Sequence, residues 1–286
     1  MQDQVEIGNG SLRAGIKAQG AELCSLVHAR VGEVLWQAEP AWPRHSPVLF
    51  PIVGKLRDDA YAHGGQRFGM TQHGFARDRR FGWEEVTATS CRAVLQQDAA
   101  SLAAYPFAFR LELHYAVAGE TLRLTYRVSN AGEAPMPFGL GAHPGFRWPL
   151  REGAAHGLEF EQEEPAPIAR LRGGLLETDA EPSPVQGRVL PLSRALFEAD
   201  AIVMPAPRSL SLRYGAEGGP ALRFAWHGLA HLGLWARPGG DFLCIEPWQG
   251  LPDPIGFSGE LADKPGMVLL PPGETWEAGW EVTVEP

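Results

Sequence analysis

Residues 109–129 read FRLELHYAVAGETLRLTYRVS. Phe109, Leu111, Leu113, Tyr115 and Val117 alternate with Arg110, Glu112, His114 and Ala116. Beyond Ala118-Gly119-Glu120, Leu122, Leu124, Tyr126 and Val128 alternate with Arg123, Thr125, Arg127 and Ser129. A period of two on both sides of a glycine turn specifies a β-hairpin with one apolar face and one wet face.

The same pattern recurs outward from this hairpin. Short apolar runs at 22–28, 83–88, 92–96, 210–214 and 221–226 read as strands, and 276–284 alternates through Trp276, Ala278, Trp280, Val282 and Val284. Helical periodicity is almost absent; residues 193–198 predict one short helical turn with Ser193 as its cap. Pro165, Pro167, Pro182 and Pro184 would break a central strand, so 164–186 is expected to run over the surface. The expected fold is all-β, a large antiparallel β-sandwich. With no internal repeat and no linker-like shift in composition, residues 1–286 are expected to form one domain.

Composition narrows the function classes. Charged residues make up 21% of the 286 and the formal net charge is −9, which disfavours a nucleic-acid partner. Cys24, Cys91 and Cys244 are odd in number and far apart, unlike a disulfide framework or a cysteine-rich zinc site. The opening MQDQVEIGNG has neither the basic nor the apolar region of a secretory signal, and no run has the roughly 20 apolar residues of a membrane span. The expectation is a reduced, cytoplasmic protein, monomer or homodimer, with no membrane partner.

Four segments set polar residues in apolar company. In the first, Arg44 precedes an apolar run enclosed by Pro47 and Pro51. The second, His73-Gly74-Phe75-Ala76-Arg77, would put His73, Phe75 and Arg77 on one wall if it were extended. In the third, Gly139, Gly141 and Gly145 permit close approach of another group, while Pro144 restricts His143 to extended conformations. The fourth, Phe242 to Trp248, puts Glu246 on the strand face of Phe242 and Cys244, where an apolar setting would raise its pKa toward that of a general base. Read singly, each of these residues fits a structural role as well as a functional one. The same is true of the tryptophans, Trp248 among them, because indole faces stack on sugars but also fill cores. His227 and His231 are spaced i, i+4 but lie in strand-like sequence with no accompanying carboxylate, so no metal site is expected.

In order along the chain, Pro47-Val48-Leu49-Phe50-Pro51-Ile52-Val53-Gly54-Lys55, His73-Gly74-Phe75-Ala76-Arg77, Gly141-Ala142-His143-Pro144-Gly145-Phe146 and Cys244-Ile245-Glu246-Pro247-Trp248 resemble motifs of the aldose 1-epimerase, or galactose mutarotase-like, superfamily. The similarity is to its compact bacterial branch. It implies a β-supersandwich and a cofactor-free, metal-free reaction at the anomeric carbon of a sugar or sugar phosphate. By motif, His143 is similar to the general acid and Glu246 to the general base, with His73 a second imidazole near the ring oxygen. Arg77 and Arg44 would contact hydroxyls or a phosphate, and Asp200 resembles a sugar-binding aspartate. Mutarotases proper carry an Asn-Arg pair after their Gly-Arg motif, whereas this chain has Gly54-Lys55-Leu56-Arg57-Asp58, leaving Lys55 and Arg57 as alternatives for that part.

Overall fold

The computed structural model describes residues 2–216 and 218–286. The hairpin forms as the alternation requires: Phe109–Ala118 pairs antiparallel with Thr121–Asn130, and Ala118 faces Thr121 across a two-residue loop. Gly119 opens that loop at φ 58°, a conformation glycine adopts without a Cβ clash. Leu111, Leu113, Tyr115, Leu122, Leu124, Tyr126 and Val128 are buried. At about 1.5–3 kcal/mol for each large apolar side chain removed from water, that face outweighs any single polar contact on the wet side.

The hairpin lies within a nine-stranded sheet of order Val189–Pro191, His156–Phe160, Ser211–Ala216, Ala221–His227, Thr275–Glu285, Thr121–Asn130, Phe109–Ala118, Ser90–Gln96 and Gly82–Val86. The six other runs read as strands are all strands, five of them in this sheet; the sixth, Leu23–His28, belongs to a four-stranded sheet that begins at Gln4. A six-stranded sheet has the order Ile202–Met204, His231–Trp235, Phe242–Gln249, Leu140–Ala142 and Val48–Leu49, with Gly145–Arg147 also pairing with Phe242–Gln249. Every ladder between these strands is antiparallel, and the buried faces of the sheets merge in one large apolar cluster. This is the large antiparallel β-sandwich expected.

Helix content needs two corrections. Arg194–Phe197 does form a 3₁₀ turn, but the Ser193 side chain makes no capping hydrogen bond. Ala99–Ala104 is an α-helix that periodicity missed, since six residues are too few to display a period. Its signal was Asp98-Ala-Ala-Ser101: Asp98 Oδ1 accepts from Ser101 N at 2.6 Å and Ser101 Oγ accepts from Asp98 N at 2.8 Å, a capping box. Among the described residues no helix is long and apolar enough to cross a membrane.

Candidate active site

The strand Phe242–Gln249 organises the site. On one side Gly145 faces Cys244 and Gly141 faces Trp248, so His143, midway between the two glycines, comes opposite Glu246. His143 Nε2 lies 3.3 Å from Glu246 Oε2. The two residues are 7% and 2% exposed, which excludes a Glu246 turned out into water. Across the strand's other edge Glu246 pairs with Gly233.

At Gly141, Gly145 and Gly233 the groups that approach closely are indole rings of this chain, where another backbone or a ligand was the expectation for the first two. A Cβ on Gly141 would lie 2.7 Å from Trp248 Cδ1, and one on Gly233 would lie 2.4 Å from Trp248 Cζ2. The indole therefore spans three strands as a floor. A Cβ on Gly145 would meet Trp42 at 2.7 Å. Trp42 stacks on His143 with centroids 4.9 Å apart and planes at 26°, and Trp235 meets the same imidazole edge-on at 5.7 Å.

His73 approaches by a different route from the one its motif suggested. It is left-handed (φ 67°), Phe75 is helical, and Ala76–Asp78 is a 3₁₀ turn, so the segment is not extended. Phe75 turns into the aromatic core against Phe50 and Tyr105, leaving His73 and Arg77 at the cavity. The His73 backbone N–H donates to Gly54 O at 2.8 Å, and its Nδ1 accepts from Gly54 N at 3.1 Å. With Nδ1 accepting, a neutral imidazole carries its proton on Nε2. Its ring lies edge-on to that of His143 at 5.6 Å.

Around these groups is a cavity of about 510 Å³, lined by His73, Arg77, His143, Asp200, Glu246 and Trp248 among others. Trp42, Gln72, Trp235 and Arg237 also line it and were missed by sequence reading. Trp235 ends the apolar run that had been read only as strand or turn; Trp42 stands two residues before Arg44. The proline-rich excursion contributes Leu171 and Gly174 to the wall. It is tied to the Asp200 loop by Arg170, whose Nη1 donates to Leu196 O at 3.1 Å and to Asp200 O at 3.4 Å. Asp200 itself has φ 67° and accepts from Ala201 N at 2.8 Å.

Three candidates fall outside this lining. Arg44 donates to Asp78 at 2.9 Å, the same carboxylate that lies 3.7 Å from Arg77 Nε. Lys55 packs its methylenes near Gly174 and holds its ammonium 4.0 Å from Asp59. Arg57 borders a separate cavity of about 240 Å³.

Burial dominates the electrostatics. It pushes the Glu246 carboxyl well above its ordinary range, the nearby Trp248 indole partly opposing and Asp200 adding to the rise. Burial pushes His143 down to about 3, helped by the Arg77 charge. His73 is likewise held far below the usual imidazole value by burial, then by His143 and Arg77. Arg77 is lowered to about 10, first by burial and then by Arg44. Both shifts favour the neutral forms of His143 and Glu246, since desolvation disfavours two separated charges.

Comparison with known proteins places the chain in a family. The aldose 1-epimerase family profile matches residues 3–181. The chain belongs to the aldose 1-epimerase family. A Lactococcus lactis protein, "Protein LacX, plasmid", is 32% identical over 296 aligned positions, covering 98% of this chain and 99% of that one. A galactose mutarotase related enzyme from Lactobacillus acidophilus is similar with TM-score 0.91 and 29% identity, covering 99% of this chain and 97% of that chain. A galactose mutarotase-like protein from Lactobacillus casei has TM-score 0.92 and 28% identity, covering 99% and 100%. The β-sandwich of this family member is thus the galactose mutarotase-like supersandwich.

Proposed function

We propose that this protein is an aldose 1-epimerase, a mutarotase that opens and recloses the ring of a free aldose. The observation that carries the reading is the buried His143–Glu246 contact of 3.3 Å at a cavity wide enough for a sugar. Ring opening needs a base at the anomeric hydroxyl and an acid at the ring oxygen. The sugar hydroxyls resolvate the carboxylate, so the pair's single proton moves to His143. Glu246 then takes the anomeric O–H proton, and that electron pair forms the aldehyde C=O. The C1–O5 bonding pair goes to the ring oxygen, which takes the proton from His143. Rotation about C1–C2 and closure on the other aldehyde face returns both protons and yields the other anomer.

His73 Nε2–H would donate near the ring oxygen. Arg77, with a buried Nε that makes no hydrogen bond, Asp200 and the Trp248 face would hold the sugar. No step calls for a cofactor. Three buried free cysteines suit a reduced, cytoplasmic setting.

The runner-up is a hexose-6-phosphate epimerase, which would need Arg44 and Arg77 to converge on one anion. The Asp78 carboxylate between them favours the free sugar. The test is magnetisation-exchange NMR of the α and β anomers of glucose, galactose and glucose 6-phosphate with purified protein. Acceleration with the free hexoses is expected. A rate confined to the phosphate ester would select the second reading, and no rate with any aldose would leave a sugar-binding protein on this fold.

A further inference from the structure

Cys244 plays no part in the acid–base cycle, yet its thiol belongs to the same cluster of side chains. Cys244 and Glu246 leave one face of the same strand, and His143 stands across from Glu246. Cys244 Sγ, one imidazole nitrogen of His143 and one carboxylate oxygen of Glu246 all lie within 4.8 Å of one another. All three residues are buried, at 0%, 7% and 2% exposure. The His143 imidazole also has a buried Nδ1 with no hydrogen-bond partner.

We propose that His143, Cys244 and Glu246 form an inhibitory binding site for a borderline-soft divalent cation of the Zn²⁺ class, the fourth coordination position opening on the cavity. In tetrahedral coordination, Zn–N and Zn–O bonds of about 2.0–2.1 Å and a Zn–S bond of about 2.3 Å space the donors roughly 3.3–3.6 Å apart. The His143–Glu246 contact is already 3.3 Å, and closing the rest takes a contraction of up to about 1.3 Å. The donor set of nitrogen, sulfur and oxygen suits Zn²⁺, whereas Ca²⁺ and Mg²⁺ take six or more oxygens. Charge also fits. A thiolate, a carboxylate and a neutral imidazole around a dication sum to zero, the arrangement that burial disfavours least. Binding releases the thiol proton and the carboxyl proton to bulk water and occupies both groups assigned to catalysis.

The inhibition rests on the mutarotase reading; the binding does not. The experiment therefore has two readouts on the purified full-length chain: anomer exchange during Zn²⁺ titration, and the near-ultraviolet thiolate-to-metal band with Co²⁺. The expected result is one Co²⁺ per chain with a thiolate band, and Zn²⁺ inhibition reversed by EDTA but not produced by Mg²⁺. Cys244→Ser and Cys244→Ala should keep the metal-free rate, lose the band, and need on the order of 100-fold more Zn²⁺ for half inhibition. Cys91→Ser should retain the band. Equal Zn²⁺ sensitivity of the Cys244 variants, no thiolate band in the native chain, or metal bound through Cys244 without inhibition of an active enzyme would each overturn the proposal. A Cys244-dependent band in a protein that accelerates no aldose would support the metal site and reject the mutarotase reading.

Discussion

Two buried ionisable pairs stand on either side of one wall of this molecule. His143–Glu246 opens on the larger cavity. Lys264–Asp253 lies beneath the smaller one, its side chains 0% and 5% exposed and 3.1 Å apart. The second pair is tied into backbone: Lys264 Nζ donates to Leu251 O, and Asp253 Oδ2 accepts from Arg57 N at 2.9 Å. Asp253 also fixes its neighbour Pro252, which packs so tightly on Gly54 that a Cβ there would lie 2.4 Å from Pro252 Cγ. Burial lowers Lys264 to about 8, while the Asp253 charge opposes it, so Lys264 keeps its charge at neutral pH. At the other pair burial favours the neutral forms of both His143 and Glu246, and His143 Nδ1, like Asp253 Oδ1, makes no hydrogen bond. A pair bound to its surroundings holds a wall in place. A pair that faces an open cavity is available to a ligand.

The contrast is broken or sharpened by substitution. Glu246→Gln should cost on the order of 10²–10⁴-fold in anomer exchange with little loss of thermal stability, because the amide removes a desolvated carboxyl. An active Glu246→Gln enzyme would put the base elsewhere. Lys264→Met should do the reverse, costing about 3–5 kcal/mol in urea unfolding by stranding Asp253, with the folded fraction still active. Adding Asp253→Leu should restore much of that stability, and failure to do so would mean the pair is more than a staple. Gly233→Ala should displace the Trp248 indole, costing about 1–3 kcal/mol and raising KM for the sugar. Arg170→Ala should raise KM a few-fold through the Asp200 loop and leave kcat nearly unchanged; a kcat effect without a KM effect would separate Asp200 from sugar binding.

The smallest expected effect is the lack of one. Burial holds folded His143 near 3, far below the ordinary 6.5, so kcat/KM should run level as pH falls through 6.5 after correction for spontaneous mutarotation. The sign for stability is opposite to that of a paired histidine. The neutral form is native, so His143 weakens the fold as pH drops from 6.5 toward 3, where the unfolded chain takes the proton first. A break in kcat/KM near 6.5 would mean that the imidazole is hydrated and that the two pairs differ less than described.

Much of this was readable in residue order, and the rest fails for identifiable reasons. The hairpin was legible because period two is a local property of each strand. So was the common face of Cys244 and Glu246. The segment from His73 to Arg77 was misread because its alternation presumed extended backbone, while His73 at φ 67° and the 3₁₀ turn after it send Phe75 and Arg77 different ways. Lys264 and Asp253 lie in glycine- and proline-rich sequence without period, so nothing local marks either as buried. The Arg44–Asp78 ion pair was not legible either, because its partners lie 34 residues apart.

By itself the sequence determined which faces are apolar, hence an all-β sandwich, and which chemistries the chain carries: an imidazole fixed before proline, a carboxylate within an apolar strand, and glycines that permit close approach. Tertiary structure decided which of these meet. The antiparallel register that sets His143 against Glu246 joins segments far apart in the chain, and burying whole sheets, not any local preference, selects it. The shift of that pair toward its neutral forms and the nearness of the Cys244 thiol follow from the same burial. Neither can be read from spacing, because both depend on the water that folding excludes.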